Sequence, residues 1–362
     1  MKPEPGRTLT QHSVTQRILV VAPNWLGDSI MAQPLLSRIK ARLPSAPIDV
    51  IAVPAVAPVF RRMPEVSRVI EADFRHGRLD FKARWRLGRH LREQPAHGRY
   101  MQSYVLPNSW KSALVPFFAD VPVRIGYAGE ARVGLIDVRH PNPKKGGERE
   151  PMAQFYARLA ELPGKAAPLI EMAPPFLMAD PLRVIAAKVN LGLHPSQHLV
   201  ALCPGAEYGP AKRWPAEHFA EVAGKLKARG FVPIVLGGPN DVAIGLTIEQ
   251  LSSGAAINLV GKTSLDDAIN LIAGCRAVIT NDSGLMHVAA ALSRPQIALF
   301  GSSSPEHTPP LSDLAHVITL RTECSPCFAR ECPLGHFKCM RELSAERVLA
   351  QFDSLNLATA TP

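Results

Sequence analysis

Apolar and polar positions along this chain alternate between two rhythms. Short, nearly continuous runs of Val, Ile, Leu and Ala are followed by stretches in which apolar residues recur every third or fourth position. The first half predicts strands over Ile18–Ala22, Ile48–Val53, Val66–Glu71, Met101–Leu106 and Val123–Gly126, with helices between them. Runs this uniformly apolar suit strands covered on both faces, so the pattern predicts an α/β chain with parallel sheets. Pro-rich and charged segments, Pro141–Pro151 and Pro163–Pro181, interrupt it. It then resumes with strands over Leu199–Cys203, Val232–Leu236, Ile257–Val260, Ala277–Thr280 and Gln296–Phe300. We expect two Rossmann-like, doubly wound domains, residues 1–165 and 166–342, facing each other across a cleft at the carboxyl ends of their strands. A last helix over Ala345–Leu355, within residues 343–362, is expected to cross back onto the first domain.

Composition narrows the class. At 362 residues and 46% apolar content the chain can bury two cores. No apolar run approaches the ~20 residues of a membrane helix, and the first 16 residues lack the apolar centre of a secretory signal, so a cytoplasmic protein is expected. Charge is unevenly placed. Residues 1–150 carry 24 Lys and Arg against 13 Asp and Glu, a net +11, and the remainder carries 17 against 18, a net −1. A first half this basic calls for an anionic partner: nucleic acid, a membrane surface or an acidic substrate. Nucleic acid is disfavoured, because no recognised binding module is present and aromatic residues make up only 6%. Much of the charge lies in Arg75–Arg99, where Leu79, Trp85, Leu87 and Leu91 are placed to line the inner side of a helix whose other face is solvated.

Candidate chemistry gathers where strands run into helices. The strand ending at Thr280 leads into Asn281-Asp282-Ser283-Gly284-Leu285, and a helix opens there with Met286, Val288, Ala289 and Leu292 available to pack inward. Free N–H groups of Ser283, Gly284 and Leu285 at a helix start favour a phosphate. Asp282 and His287 flank that turn, the carboxylate being better suited to sugar hydroxyls than to phosphate. A plain turn capped by Asp282 is the alternative. The first strand ends in Asn24-Trp25-Leu26-Gly27-Asp28; Gly27 permits a close backbone approach, and Asp28 is either a cap or a carboxylate facing the cleft. A single glycine is not the fingerprint of a dinucleotide site, which disfavours nicotinamide chemistry. The loop Pro204–Pro215 places Gly205 and Ala206 before Lys212 and Arg213, where Lys212 is a point charge for a diphosphate or one of a solvated pair. Gly261-Lys262-Thr263 fails as a triphosphatase loop, since Ala256 stands where a glycine is needed. Asn108, Ser109 and Lys111 end a strand on the same edge as Asp28, with Arg124, Glu130 and Arg132 expected nearby. Cys324, Cys327, Cys332 and Cys339 fall within 16 residues. Four such thiols suit a structural metal better than disulfides in a reducing compartment, although the spacing is not a standard zinc pair, and whether they bind one is left open.

The segments NWLGDSIMAQP, LPNSWKSALVPF, PGAEYGPAKRWP and TNDSGLMHVAAAL, in that order, resemble those of the bacterial ADP-heptose:lipopolysaccharide heptosyltransferases, glycosyltransferase family 9. The likeness covers nearly all of residues 17–355. It implies the two-domain GT-B fold and an inverting transfer of L-glycero-D-manno-heptose from ADP-heptose to the first heptose of the lipopolysaccharide inner core, on Kdo-lipid A. It further implies that Asp28 is the general base, that Lys212 and the N–H groups of Ser283–Leu285 meet the diphosphate charge, that Asp282 holds heptose hydroxyls, that His287 supports the turn, and that the loop near Thr263 borders the adenine. Gly205-Ala206-Glu207 lacks the hydroxyls some members place there, leaving phosphate contact to backbone N–H groups. No cofactor and no metal are implied. The acidic, membrane-held acceptor accounts for the basic first half and implies peripheral contact with the inner membrane. Alternatives are a family member with another acceptor and a nucleotide-sugar binder without activity.

Overall fold

The computed structural model describes residues 16–74, 77–94, 98–142, 150–164 and 171–357. Strands β1 (Arg17–Val21), β2 (Ile48–Ala52), β3 (Val66–Glu71), β4 (Tyr100–Val105), β5 (Val123–Tyr127) and β6 (Val138–His140) form one sheet. Strands β7 (Leu199–Cys203), β8 (Val232–Val235), β9 (Ile257–Asn258), β10 (Cys275–Asn281), β11 (Gln296–Phe300) and β12 (Ala315–Thr319) form the other. The helices of the first half are α1 (Leu26–Met31), α2 (Gln33–Arg42), α3 (Ala57–Phe60), α4 (Phe81–Arg92), α5 (Leu114–Phe118) and α6 (Met152–Ala157). Those of the second half are α7 (Pro181–Asn190), α8 (Ala216–Ala228), α9 (Val242–Leu251), α10 (Leu265–Ala273), α11 (Gly284–Ala291), α12 (Lys338–Arg341) and α13 (Ala345–Asp353).

All pairings between neighbouring strands are parallel, in the order β3-β2-β1-β4-β5-β6 and, equivalently, β9-β8-β7-β10-β11-β12. Parallel strands need crossover helices on both faces, which is why the central strands β2, β7 and β11 are buried at every position. Strand order reverses between β1 and β4 and again between β7 and β10, and a crevice opens beyond the carboxyl ends at each reversal. All four motif segments begin at those four strand ends. The short strand β6 and the half-exposed β12 lie at sheet edges and carry no continuous apolar run, so the hydrophobic pattern leaves them unmarked.

One polar side chain interrupts the first core. Asp49 is fully buried on β2 and is met by Arg17 from β1, at 2.5 Å, by Arg68 from β3, at 3.0 Å, and by the Tyr100 hydroxyl from β4. A buried carboxylate is tolerable only when surrounded by donors in this way, and here it joins four neighbouring strands at the end of the sheet away from the crevice. Burial, followed by the adjoining Asp49 carboxylate, pushes the Tyr100 hydroxyl up to about 12.

The halves are stitched together by residues 176–178. Gln33 donates to the Phe176 carbonyl and accepts from its N–H, each at 2.8 Å, while Leu177 N–H donates to Ala291 and Met178 N–H to Arg62. Arg62 then reaches Asp266, at 2.8 Å, and Asn270, at 2.9 Å, on α10.

Two expectations are corrected. The terminal helix does not cross back: α13 packs on α8 and β11 of the second half, with Val348, Leu349 and Phe352 in that core and Phe352 set edge-on to Phe231. Its apolar stripe covers the sheet that immediately precedes it. On α4 the inner side is Arg84, Gly88 and Leu91, with Leu87 half-buried, whereas Leu79 and Trp85 are exposed. Gly88 takes that inner position because Phe118 and the Val115 carbonyl of α5 lie where a side chain would stand. Replacing Phe352 by Ala is expected to cost about 3–5 kcal/mol by opening a cavity under α13, read as a lower denaturation midpoint with unchanged slope; a loss below ~1 kcal/mol would refute the placement of α13 in the second core.

Candidate active site

The site is built around one helix crossing. Strand β1 ends at Val21, and the chain turns through Pro23-Asn24-Trp25 into α1, where Ser29 donates back to the Trp25 carbonyl at 2.9 Å and fixes the turn. Helix α1 lies against α11 of the second half. Two glycines allow the contact. A Cβ on Gly27 would stand 2.8 Å from Cδ2 of His287, and a Cβ on Gly284 would stand 2.8 Å from the Leu26 side chain.

On one side of the crossing, Asp28, Asn108, Ser109 and Lys111 line a cleft of about 810 Å³ together with Arg84, Phe155 and Tyr156. Asp28 does not cap its helix; Trp25 occupies the cap position and no side chain bonds there. Burial pushes the Asp28 carboxyl up to about 6, while a hydrogen bond from the Tyr156 hydroxyl and the nearby Lys212 charge pull it down. On the other side, Gly27, Gly205, Thr263, Ser283, Gly284 and Leu285 line a second cavity of about 410 Å³ with Gly237, Gly238 and Asp241. Asn24 and Trp25 border both.

Beside the crossing lies a polar cluster in which Asp282 and His287 are buried and Lys212 and Thr308 half-buried. Lys212 Nζ donates to Asp282 at 2.5 Å, and Thr308 Oγ1 stands 3.5 Å from the same carboxylate. His287 is buried beneath Gly27 and next to this pair. Burial lowers its pKa to about 4, opposed by Asp282 and helped by Lys212, so the ring is neutral at neutral pH. Asn281 ties the lysine loop to β10: its Nδ2 donates to the Pro204 carbonyl at 2.7 Å and its Oδ1 accepts from Trp214 N–H at 3.2 Å.

Not every expected residue joins the site. Ala206 is buried and lines neither cavity; Lys212, Asp282 and His287 line neither as well, and belong to the site through their contacts with one another, with Gly27 and with Asp28. Arg132 is interior and donates to the Tyr127 carbonyl, and Arg124 pairs with Asp137, so neither is presented to the cleft. The cysteine segment braces the lysine loop from behind, with Tyr208 hydroxyl donating to Phe328, Arg330 to Tyr208, and Ala211 N–H to Arg330. Cys324, Cys327, Cys332 and Cys339 are free thiols around one small cavity, and among the described residues no group of three or more His, Cys, Asp or Glu is spaced to hold a metal ion.

The sequence profile of glycosyltransferase family 9 (heptosyltransferase) matches residues 84–338. The chain belongs to glycosyltransferase family 9. This family 9 chain is 41% identical over 350 residues to lipopolysaccharide heptosyltransferase 2 of Salmonella typhimurium, covering 94% of its own length and 98% of the relative's. It is likewise 41% identical over 354 residues to lipopolysaccharide heptosyltransferase 2 of Escherichia coli, covering 94% and 99%. The structure of E. coli ADP-heptose lps heptosyltransferase II matches with a TM-score of 0.80 at 38% identity, over 94% of this chain and 98% of that one. The protein is therefore a heptosyltransferase of GT-B fold.

The family 9 motifs left several site residues unmarked. Tyr156 and Thr308 gain their partners only through folding, and a lone Tyr or Thr carries no signal; Asn281 stands within the TNDSGLMHVAAAL segment, but its two bonds to the lysine loop do not show there. Asp241 was more accessible to inspection, because Gly237-Gly238 directly follows a strand, as the other site turns do. Gly27→Ala and Gly284→Ala are each expected to destabilise this heptosyltransferase by about 1–3 kcal/mol, and the double variant by less than their sum, by more than ~0.5 kcal/mol, because both relax one contact. Strict additivity in thermal or urea unfolding would show that the two glycines do not serve the same crossing.

Proposed function

We propose that the enzyme transfers L-glycero-D-manno-heptose from ADP-heptose to the first heptose of the lipopolysaccharide inner core, on Kdo-lipid A, with inversion at the anomeric carbon. The observation that carries this reading is the α1–α11 crossing, which sets one carboxylate, Asp28, on the wall of the larger cleft and within electrostatic reach of Lys212 on the other half.

The acceptor sugar occupies the larger cleft, with Asn108, Ser109 and Lys111 as polar contacts. Its hydroxyl passes a proton to Asp28 as the oxygen attacks the anomeric carbon from the face opposite ADP. The C–O bond to the diphosphate breaks with its electron pair leaving on ADP. That growing charge is met by Lys212 and by the N–H groups of Ser283, Gly284 and Leu285 at the start of α11. Asp282 orients heptose hydroxyls and holds Lys212. Neutral His287 fills the space beneath the turn without adding charge. Gly205 lets the loop approach the diphosphate, and Thr263 borders the adenine. A base whose pKa is about 6 is ionised at neutral pH and still basic enough to take a proton. The acceptor's acidity suits the basic first half, and its lipid anchor requires work at a membrane surface. The large cleft favours this reading over that of an inactive binder, which needs room for the donor alone.

Mass spectrometry of the product from ADP-heptose and a heptose-terminated acceptor, with the anomeric configuration read by NMR, tests the reaction; ADP release that does not require acceptor, or retained configuration, defeats it. Asp28→Ala is expected to keep donor affinity and lose about 10²–10⁴ in rate, whereas Lys212→Ala weakens donor binding and rate together. Unchanged turnover in Asp28→Ala removes the base assignment. The wild-type rate should fall on the acid side with a midpoint near 6, as Asp28 gains its proton. Tyr156→Phe removes a hydrogen bond that holds this pKa down, so its acid limb should move to higher pH while the alkaline plateau changes little. A limb that stays in place separates Tyr156 from the base.

A further inference from the structure

The first half presents an aromatic and basic face that the described residues leave uncovered. On the outer side of α4, Phe81 and Trp85 are 49% and 45% exposed, and exposed Lys82, Arg86, Arg89 and Arg92 interleave with them. Helix α5 extends the aromatic row: Phe81 meets Phe118 edge-on and Phe118 meets Phe117, with ring centroids 5.5 Å apart in each pair, and Phe117 is exposed in turn. Some of the charge is neutralised, Arg89 by Glu93 and Arg92 by Asp120. Among the described residues, Lys82 and Arg86 make no ion pair.

The helix that carries this face also borders the larger cleft. The inward side of the same helix places Arg84 on the cleft wall, where it donates to the Lys111 carbonyl at 3.2 Å. Lys111 Nζ donates to the Arg78 carbonyl at 3.1 Å, and the neighbouring Trp110 is exposed beside it. Single exposed aromatics on a soluble surface carry no message. Here Phe81, Trp85 and Phe117 accompany two cations, Lys82 and Arg86, that make no ion pair among the described residues, and Trp110 is exposed next to Lys111 of the larger cleft. Rings of this kind settle at the headgroup level of a bilayer, while lysine and arginine reach the phosphates. No described helix is long and apolar enough to cross a membrane, which leaves surface attachment as the mode this geometry supports.

We propose that the outer face of α4 and α5 is the docking surface for an anionic phospholipid bilayer, seating the cleft rim at the headgroups from which a lipid-anchored acceptor projects. This rests on the proposed acceptor. Its occupant is the lipid surface, and no specific headgroup is required, because the cations are spread along a helix rather than gathered in a pocket.

Co-sedimentation of the full chain with vesicles of equal parts phosphatidylcholine and phosphatidylglycerol tests it. Wild type is expected to bind these vesicles, to release with added salt, and to bind pure phosphatidylcholine weakly. Each surface cation contributes about fivefold to such partitioning, so Lys82→Glu with Arg86→Glu should weaken it by at least ~10-fold. Trp85→Ser should weaken it in the same direction. In both variants, heptose transfer to a water-soluble acceptor stripped of its acyl chains should match wild type, and transfer to vesicle-embedded acceptor should fall. The proposal is overturned by vesicle binding that these substitutions leave intact, by wild type that ignores anionic vesicles, or by a concentration-dependent dimer that Trp85→Ser dissolves without altering vesicle binding, which would make the face a contact between two copies. Failure of wild type to use the soluble acceptor would instead count against the proposed reaction and leave the vesicle result standing.

Discussion

Everything at the site depends on how closely α1 and α11 can approach. Two helices meet at this distance only where side chains are missing from the seam, and Gly27 and Gly284 remove one from each partner. The imidazole of His287 fills the space left by the first, the Leu26 side chain the space left by the second. One consequence is electrostatic. Excluding water from the seam disfavours charge on both titratable groups beside it, raising Asp28 to about 6 and lowering His287 to about 4. For Asp28, moving from 3.8 to about 6 corresponds to about 3 kcal/mol against the ionised form. That cost is absent at low pH, sets in as an unfolded carboxyl would ionise, and is complete above the folded pKa. The fold therefore gives up stability at neutral pH to keep a more basic carboxylate at the crossing, a trade expected at a working site rather than at a structural ion pair.

The repeated strand order explains why the seam carries the chemistry. In each half the order reverses at the centre of the sheet, so the loops after β1 and β4, and after β7 and β10, flank a crevice. Facing the halves toward each other sets the two crevices on either side of α1. Residues 176–178 and the Arg62 bonds to Asp266 and Asn270 hold this arrangement from outside the site. The groups of each half are then separable: one cleft with a carboxylate, one cavity with a helix N-terminus, and a lysine paired to Asp282 beside the crossing.

How much of this was legible in the chain follows from the range of the signals. Gly27-Asp28, Lys212 and the Asp282–Leu285 turn could be picked out because strand, tight turn and helix start are local features, and the turn residues needed there are few. Tyr156 was invisible, since its meaning lies in Asp28, brought near only once α6 packs beside α1. Ala206 looked equivalent to Gly205 along the chain, yet β7 and the loop beyond it turn its methyl inward. On α4, Gly88 sits at the inner position because α5 presses there, so apolar spacing alone assigned Trp85 to the wrong side. For α13, an amphipathic stripe says that a sheet is covered and not which one. Edge strands β6 and β12 fail for a related reason, being too short or too wet to leave an apolar run.

The placement of charge sets the last constraint. The half with the proposed diphosphate turn has no excess of positive charge, and the cations of its lysine loop are already matched, Lys212 by Asp282 at 2.5 Å and Arg213 by Asp241 at 3.6 Å. Long-range attraction therefore contributes little to donor capture, and screening over ~8 Å at physiological ionic strength would remove most of it in any case. A lysine ammonium has three donors, and Asp282 engages one, which fixes its direction while leaving the others for the proposed diphosphate contact. Recognition of the donor on the proposed reading is thus a matter of aligned N–H groups and one oriented ammonium at short range, whereas the net +11 of the first 150 residues acts where a broad surface meets a broad anionic partner. On these two proposals, one protein separates specificity, kept at short range beside the crossing, from delivery, spread over an exposed basic face.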